Sequence, residues 1–257
     1  MPKWTPFPHA GAYAFTPAHT KKHWSALHRG DREPLPRNAA ELEAWAHYHS
    51  GDFEQAEATG LAVGGSGLIA ANKAAIVYAN YLEPREKARL DRLMAVAERA
   101  QSQIETEPDN ANAWFLHAYA LGRYSQGISV AKALAQGLGT KVKEALEKTI
   151  QLVPEHAEAH IALGMFHADV IDKVGLLIAS MTYGVKKEEG LRLLREALRL
   201  MPESSIGMVE YANALLMLEG EKLLPEATVL YERAGAITPI DAADRLAVDL
   251  ARSELAD

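Results

Sequence analysis

PEHAEAHIALGMFH, residues 154–167, places a proline ahead of three histidines, His156, His160 and His167. Alone it admits two readings, metal ligands on a helix or one unit of a repeat. Two other stretches decide between them: PDNANAWFLHAYAL at 108–121 and PESSIGMVEYANAL at 202–215. Each begins on a proline that follows a helix-like run, ERAQSQIETE, ALEKTIQLV and GLRLLREALRLM in turn. Five residues after the proline stand Ala113, Ala159 and Gly207, and ten after it stand Ala118, Gly164 and Ala212. Between them, at offset six, the bulky Trp114, His160 and Met208 recur. Tiny and bulky side chains alternating on one helical face let a neighbouring helix approach closely, the large groups filling holes left by the small ones.

This pattern resembles the tetratricopeptide repeat (TPR), in which helix A carries small-x-small-Trp and helix B ends shortly before a proline. Gly190 and Ala197 precede Pro202, and Ala227 and Ala234 precede Pro239, as helix B requires; GDFEQA, Gly51 to Ala56, matches the A-to-B turn. The chain departs from the pattern at His117 and Tyr211, where leucine is usual, and at Gln103 and Thr149, where alanine is usual. The prolines at 108, 154, 202 and 239 lie 46, 48 and 37 residues apart, against about 34 for the simple repeat. Insertions between helices A and B therefore occupy 122–140 and 170–187. Both are rich in glycine and apolar residues, so each is expected to hold a short helix packed back onto the repeats. With these long connections, the stretch from 105 to 250 resembles the regulator of microtubule dynamics family and uncharacterised bacterial TPR proteins.

The expected fold is all-α: a right-handed superhelix of about five TPR-like helix pairs, with apolar insertions between helices A and B and a C-terminal capping helix, DAADRLAVDLARSEL. Residues 39–257 form the repeat domain. Residues 1–38 are an extension with prolines at 2, 6, 8, 17, 34 and 36 and the aromatics Trp4, Phe7, Tyr13, Phe15 and Trp24. WSALHRGD from Trp24 and WAHYHSGD from Trp45 share four residues at an offset of 21, which predicts a helix over 18–29. The extension either caps the array or fills its groove.

Composition narrows the function. Of 257 residues, 48% are hydrophobic and 24% charged, the balance of a folded globular chain. A net charge of −7 disfavours nucleic acid as a partner. The absence of cysteine excludes disulfides and thiolate chemistry and fits the cytoplasm. No export signal or membrane span is read: the longest weakly polar run, Val174 to Val185, has 12 residues, where a span needs about 20.

No catalytic constellation emerges from spacing, so no enzyme and no cofactor is expected. His156 and His160, four apart with Asp169 beyond, have the spacing of zinc ligands. The repeat accounts for them otherwise: His160 takes the bulky site, His167 the site of Leu121 and Leu215, and His156 falls in the first helical turn in solvent. No metal site is expected. The glycines at 64, 65 and 67 lack the lysine of a phosphate-binding loop and read as a turn with Ser66 as helix cap. Arg192, Arg195 and Arg199 interleave with Glu188, Glu189 and Glu196 as a solvated, internally paired face.

The resemblance implies a concave groove lined by helix A. Its positions here are Asn112, Phe115, Tyr119 and Arg123; Glu158, Ile161, Met165 and Asp169; Ile206, Val209, Asn213 and Leu216. Phe115, Ile161 and Val209 stand where repeats that clamp acidic chaperone tails carry lysine, so that clamp is absent. The expected function is a non-catalytic scaffold binding a partner peptide in an apolar groove, or alternatively a carrier or sensor of a lipid-like small molecule there. On the first reading, Phe115→Asp or Ile161→Asp abolishes capture and leaves the fold intact.

Overall fold

The computed structural model describes residues 4–255, whose regular elements are all helices, with no strand among them. Pro2 lies outside the described residues. The helices are α1 (Pro17–Leu27), α2 (Ala39–Ser50), α3 (Phe53–Val63), α4 (Gly67–Tyr81), α5 (Glu86–Thr106), α6 (Ala111–Gln126), α7 (Val130–Ala135), α8 (Leu138–Leu152), α9 (Ala157–Val174), α10 (Leu176–Tyr183), α11 (Lys187–Leu200), α12 (Ser205–Glu219), α13 (Leu224–Ala236) and α14 (Ala242–Glu254). The chain forms two compact units: one contains residues up to 28, 33–138 and 240–243, the other 29–32, 139–239 and 244 onward.

Within the first unit each helix from α1 to α5 packs on its successor, and α2, α4 and α6 also pack side by side. Within the second, α9 pairs with α11, α12 pairs with α13, and α9 lies against α12. That is the neighbour pattern of stacked helix pairs, in which each repeat buries the face the previous one leaves open.

The small residues do what their spacing predicts. Ala113, Ala118, Ala159 and Ala212 are wholly buried. A Cβ on Gly164 would stand 2.6 Å from Leu194 Cγ and 3.0 Å from the Gly190 carbonyl oxygen, and one on Gly190 would stand 2.8 Å from His167 Cβ. α9 and α11 therefore touch through backbone at paired glycines.

The proline segments share a second device, unforeseen in the sequence. Two residues after each proline, Asn110, His156 and Ser204 cap α6, α9 and α12, each accepting from the backbone N–H three residues on. The cap supplies an acceptor to a helix N–H that has none inside the helix. His156 is thus fully buried rather than in solvent. At the bulky site, Trp114 Nε1 donates to the Pro108 carbonyl at 2.8 Å and His160 Nε2 donates to the Pro154 carbonyl at 2.9 Å, tying helix A back to its own turn.

Three of the four departures from the repeat pattern donate to a main-chain carbonyl. His117 Nδ1 donates to the Ala97 carbonyl at 2.9 Å, Thr149 to Ala145 at 2.9 Å, and Gln103 Nε2 to Gly65 at 3.0 Å. Buried polar groups are tolerated where such partners exist. Gly64 and Gly65, at φ 66° and 48°, form the turn into α4. Ser66 stands at the cap position, but its hydroxyl donates to Glu41 instead of capping. On α11, Arg192 pairs with Glu189 and Arg199 with Glu196, both at 2.7 Å.

The extension packs into the first unit through its aromatics. Trp4 lies against Tyr78, with the Arg92 guanidinium 4.0 Å above its ring. Phe7 is buried at Gly51, and Trp24 meets Trp45 edge-on.

Candidate functional site

Each repeat sets helix A by its cap and closes its inner side with small residues, so the remaining helix-A positions decide what is offered to a partner. Five of the twelve expected groove residues prove to be buried, four of them apolar core. Phe115 is 3% exposed and Val209 1%, while Ile161 and Met165 are also buried. The exposed apolar stripe is therefore corrected at Phe115, Ile161, Met165 and Val209, which are consumed in packing between helices, while Ile206 and Leu216 stay half-buried. Phe115→Asp and Ile161→Asp are not fold-neutral probes.

Other positions are half-buried and polar or amphipathic. On α6, Tyr119 and Arg123 stand one turn apart, with the guanidinium 5.1 Å from the ring centroid and Nε donating to the phenol oxygen at 3.2 Å. Asn80 of α4 donates to that same oxygen at 3.2 Å. Two donors fill the lone pairs of the Tyr119 hydroxyl and leave its hydrogen to seek an acceptor. Beside it, the Arg123 fork is held against the ring, so less side-chain freedom is lost when it binds a carbonyl or carboxylate. Asn112, by contrast, is buried, and its Nδ2 donates to Glu33 Oε2 at 2.6 Å.

In the second unit, Glu158 and Asp169 on α9 and Ile206, Asn213 and Leu216 on α12 are half-buried. The Glu158 N–H donates to the Gly30 carbonyl at 3.2 Å, and Tyr231 donates to Asn213 Oδ1 at 2.5 Å.

Asn80 was missed by sequence reasoning. Its signal was present: Tyr-Ala-Asn at 78–80 recurs at 211–213, which aligns Asn80 with the expected groove residue Asn213.

A second missed group sits in the first unit. His49 Nδ1 lies 2.6 Å from Asp241 Oδ2, and its Nε2 lies 3.3 Å from His28 Nε2. All three are buried. Trp24 stacks on His28 at 3.8 Å and Trp45 on His49 at 5.8 Å. Equivalent residues of the near-duplicates WSALHRGD and WAHYHSGD thus meet each other. Among the described residues, no group of three or more metal-ligating side chains forms.

His167 also faces inward, its Nδ1 against the Lys186 main chain, 2.9 Å from the oxygen and 3.0 Å from the nitrogen. Burial holds its imidazole below the ordinary 6.5, against smaller upward pulls from the Lys186 backbone and Glu189. A depressed base binds its proton more readily in the unfolded chain, so stability is fully present above about pH 6.5 and declines below it. The measured melting temperature is expected to fall as pH drops from about 7.5 to 5.5, and less steeply in His167→Leu, which restores the residue type of Leu121 and Leu215.

Several solved structures are similar to the chain. The thermophilic TPR protein TTC0263 of Thermus thermophilus aligns with 14% identity and a TM-score of 0.51, over 92% of this chain and 97% of that one. A monomeric mutant of IFIT1 with Gppp-AAAA aligns at 16% identity and TM-score 0.44, and a human IFIT1 dimer with PPP-AAAA at 12% and 0.44. Each covers 87% of this chain, and 55% and 56% of their own. No family model and no curated protein matches the chain. The likeness to TTC0263 shows the TPR fold; the narrower resemblance to regulators of microtubule dynamics receives no specific support.

Proposed function

We propose that the protein is a non-catalytic helical-repeat scaffold that binds a peptide segment of a partner protein along helix A. The observation that carries this reading is the Asn80–Tyr119–Arg123 cluster. It is a half-buried aromatic surface with oriented donors, suited to the backbone carbonyls or a carboxylate of an extended peptide. Half-buried Ile206 and Leu216 on α12 supply apolar contact of the kind a peptide side chain needs.

The test is a pull-down from the native host comparing wild type with Tyr119→Ala and Arg123→Glu. Both variants are expected to lose the same partner at least tenfold while keeping the wild-type circular dichroism spectrum at the assay temperature, because both residues are only half-buried. Arg192→Glu, on the paired α11 face, should retain it. Equal capture by all four proteins refutes the reading. The lipid-carrier alternative draws no support from the surface hollow of 320 Å³ lined by Glu86, Lys87, Leu90, Asp91, Tyr124 and Lys132, which is mainly charged. A co-purifying lipid in native mass spectrometry, lost in neither variant, would favour it.

A further inference from the structure

The insertion between α9 and α11 holds the expected short helix, which meets the repeats along one edge only. It folds as α10, bounded by Gly175 and Gly184 at φ 80° and 65°, and Ala179 is its one buried residue. Leu176 is 53% exposed, Leu177 74%, Ile178 57% and Met181 80%.

At about 100° per residue these four side chains fan across roughly 200° of the helix, on the side opposite Ala179. Tyr183 projects near Ala179 and anchors that inner side, 6.2 Å from the Phe166 ring and in the space a Cβ on Gly139 would need. The helix is therefore held by one edge with its apolar arc turned outward. The shorter insertion helix, α7, also buries nothing and exposes Val130 and Leu134.

We infer that α10 is a membrane-surface anchor, lying in the headgroup boundary of a lipid bilayer with Leu176, Leu177, Ile178 and Met181 in the acyl region.

Three observations favour a bilayer over another occupant. First, the arc is convex and projecting; a bilayer accepts such a shape, whereas a peptide partner would need a complementary groove. Second, a helix of eight residues is about 12 Å long and 10 Å across. Its footprint is far below the roughly 800 Å² per partner that a stable dimer buries. Third, exposed Lys173 and Lys186 bracket the helix, where their ammonium groups reach phosphate headgroups while their stems lie along the apolar zone. Asp172 and Glu188 beside them are also exposed, so the apolar arc is the larger contribution and anionic lipid strengthens binding only modestly. No described helix is long and apolar enough to cross a membrane. The anchor therefore lies on the surface, and it is independent of the peptide reading.

The test is cosedimentation of the full chain with phosphatidylcholine vesicles, with and without about one quarter phosphatidylglycerol. Wild type is expected to pellet with both, more with the anionic mixture. The double variant Leu177→Ser, Met181→Ser should lose binding at least tenfold to both, with an unchanged circular dichroism spectrum and melting temperature. Lys173→Glu, Lys186→Glu should remove only the anionic increment. Wild type left in the supernatant, or a double variant that pellets like wild type, overturns the inference. So does light scattering that shows a dimer dissociated by the serine variant, since a second copy would then cover the arc.

Discussion

Gly164→Leu is expected to lower the melting temperature by roughly 10 °C. The first atom added, Cβ, already falls 2.6 Å from Leu194 Cγ and 3.0 Å from the Gly190 carbonyl, and the remainder of the side chain has nowhere to go. Because the near contact includes backbone, α9 and α11 must separate, which loses the burial of Leu194 and Ala197 as well. Overpacking costs about 1–3 kcal/mol, and each kcal/mol moves the melting temperature by about 2–4 °C in a chain of this size. Thermal denaturation followed by circular dichroism measures the effect. An unchanged midpoint would mean that the two helices do not cross at this glycine.

Phe115→Asp is expected to be more damaging still, destabilising the first unit by more than about 4 kcal/mol. The ring is 3% exposed and lies 5.6 Å from the Tyr119 ring, so its removal leaves a large void, and the carboxylate that replaces it is taken out of water. Urea denaturation should show the loss, and at 37 °C the variant should lose helical signal. Arg123→Ala, two turns along the same helix, should leave the transition in place. Comparing the two separates a buried position of α6 from a half-buried one on the same stripe that is proposed to meet a partner. Loss of capture in Phe115→Asp alone would say nothing of binding.

The register of the repeat could be read because it is local. Small residues at offsets five and ten from proline belong to single helices, and the demand they meet, close approach of a neighbour, is written in side-chain volume. The caps were as local but harder to see, since Asn110, His156 and Ser204 share a function without sharing a chemical class. The helix α1, Pro17–Leu27 against an expected 18–29, was legible too, from the echo of WAHYHSGD in WSALHRGD. The face-to-face meeting of His28 and His49 was not, because a duplicate announces similar residues without saying that they touch.

The candidate site was read least well for a related reason. Spacing along helix A identifies positions one turn apart, but solvent reaches only those that neighbouring helices leave uncovered. Phe115, Ile161, Met165 and Val209 share their helices with Tyr119, Arg123, Glu158 and Asn213. Their different burial depends on residues far away in the chain, such as Asn80 and Tyr231.

By itself, the order of residues determined the helices, their ends and the pairing of A with B, since those depend on capping, turn chemistry and volume over a few turns. Tertiary structure alone decided which apolar residues face outward. LLIASM is greasy on every side, so no periodicity could assign it a face. Only the contacts of Ala179 and Tyr183, closing one edge of the helix, left its leucines and methionine to the solvent.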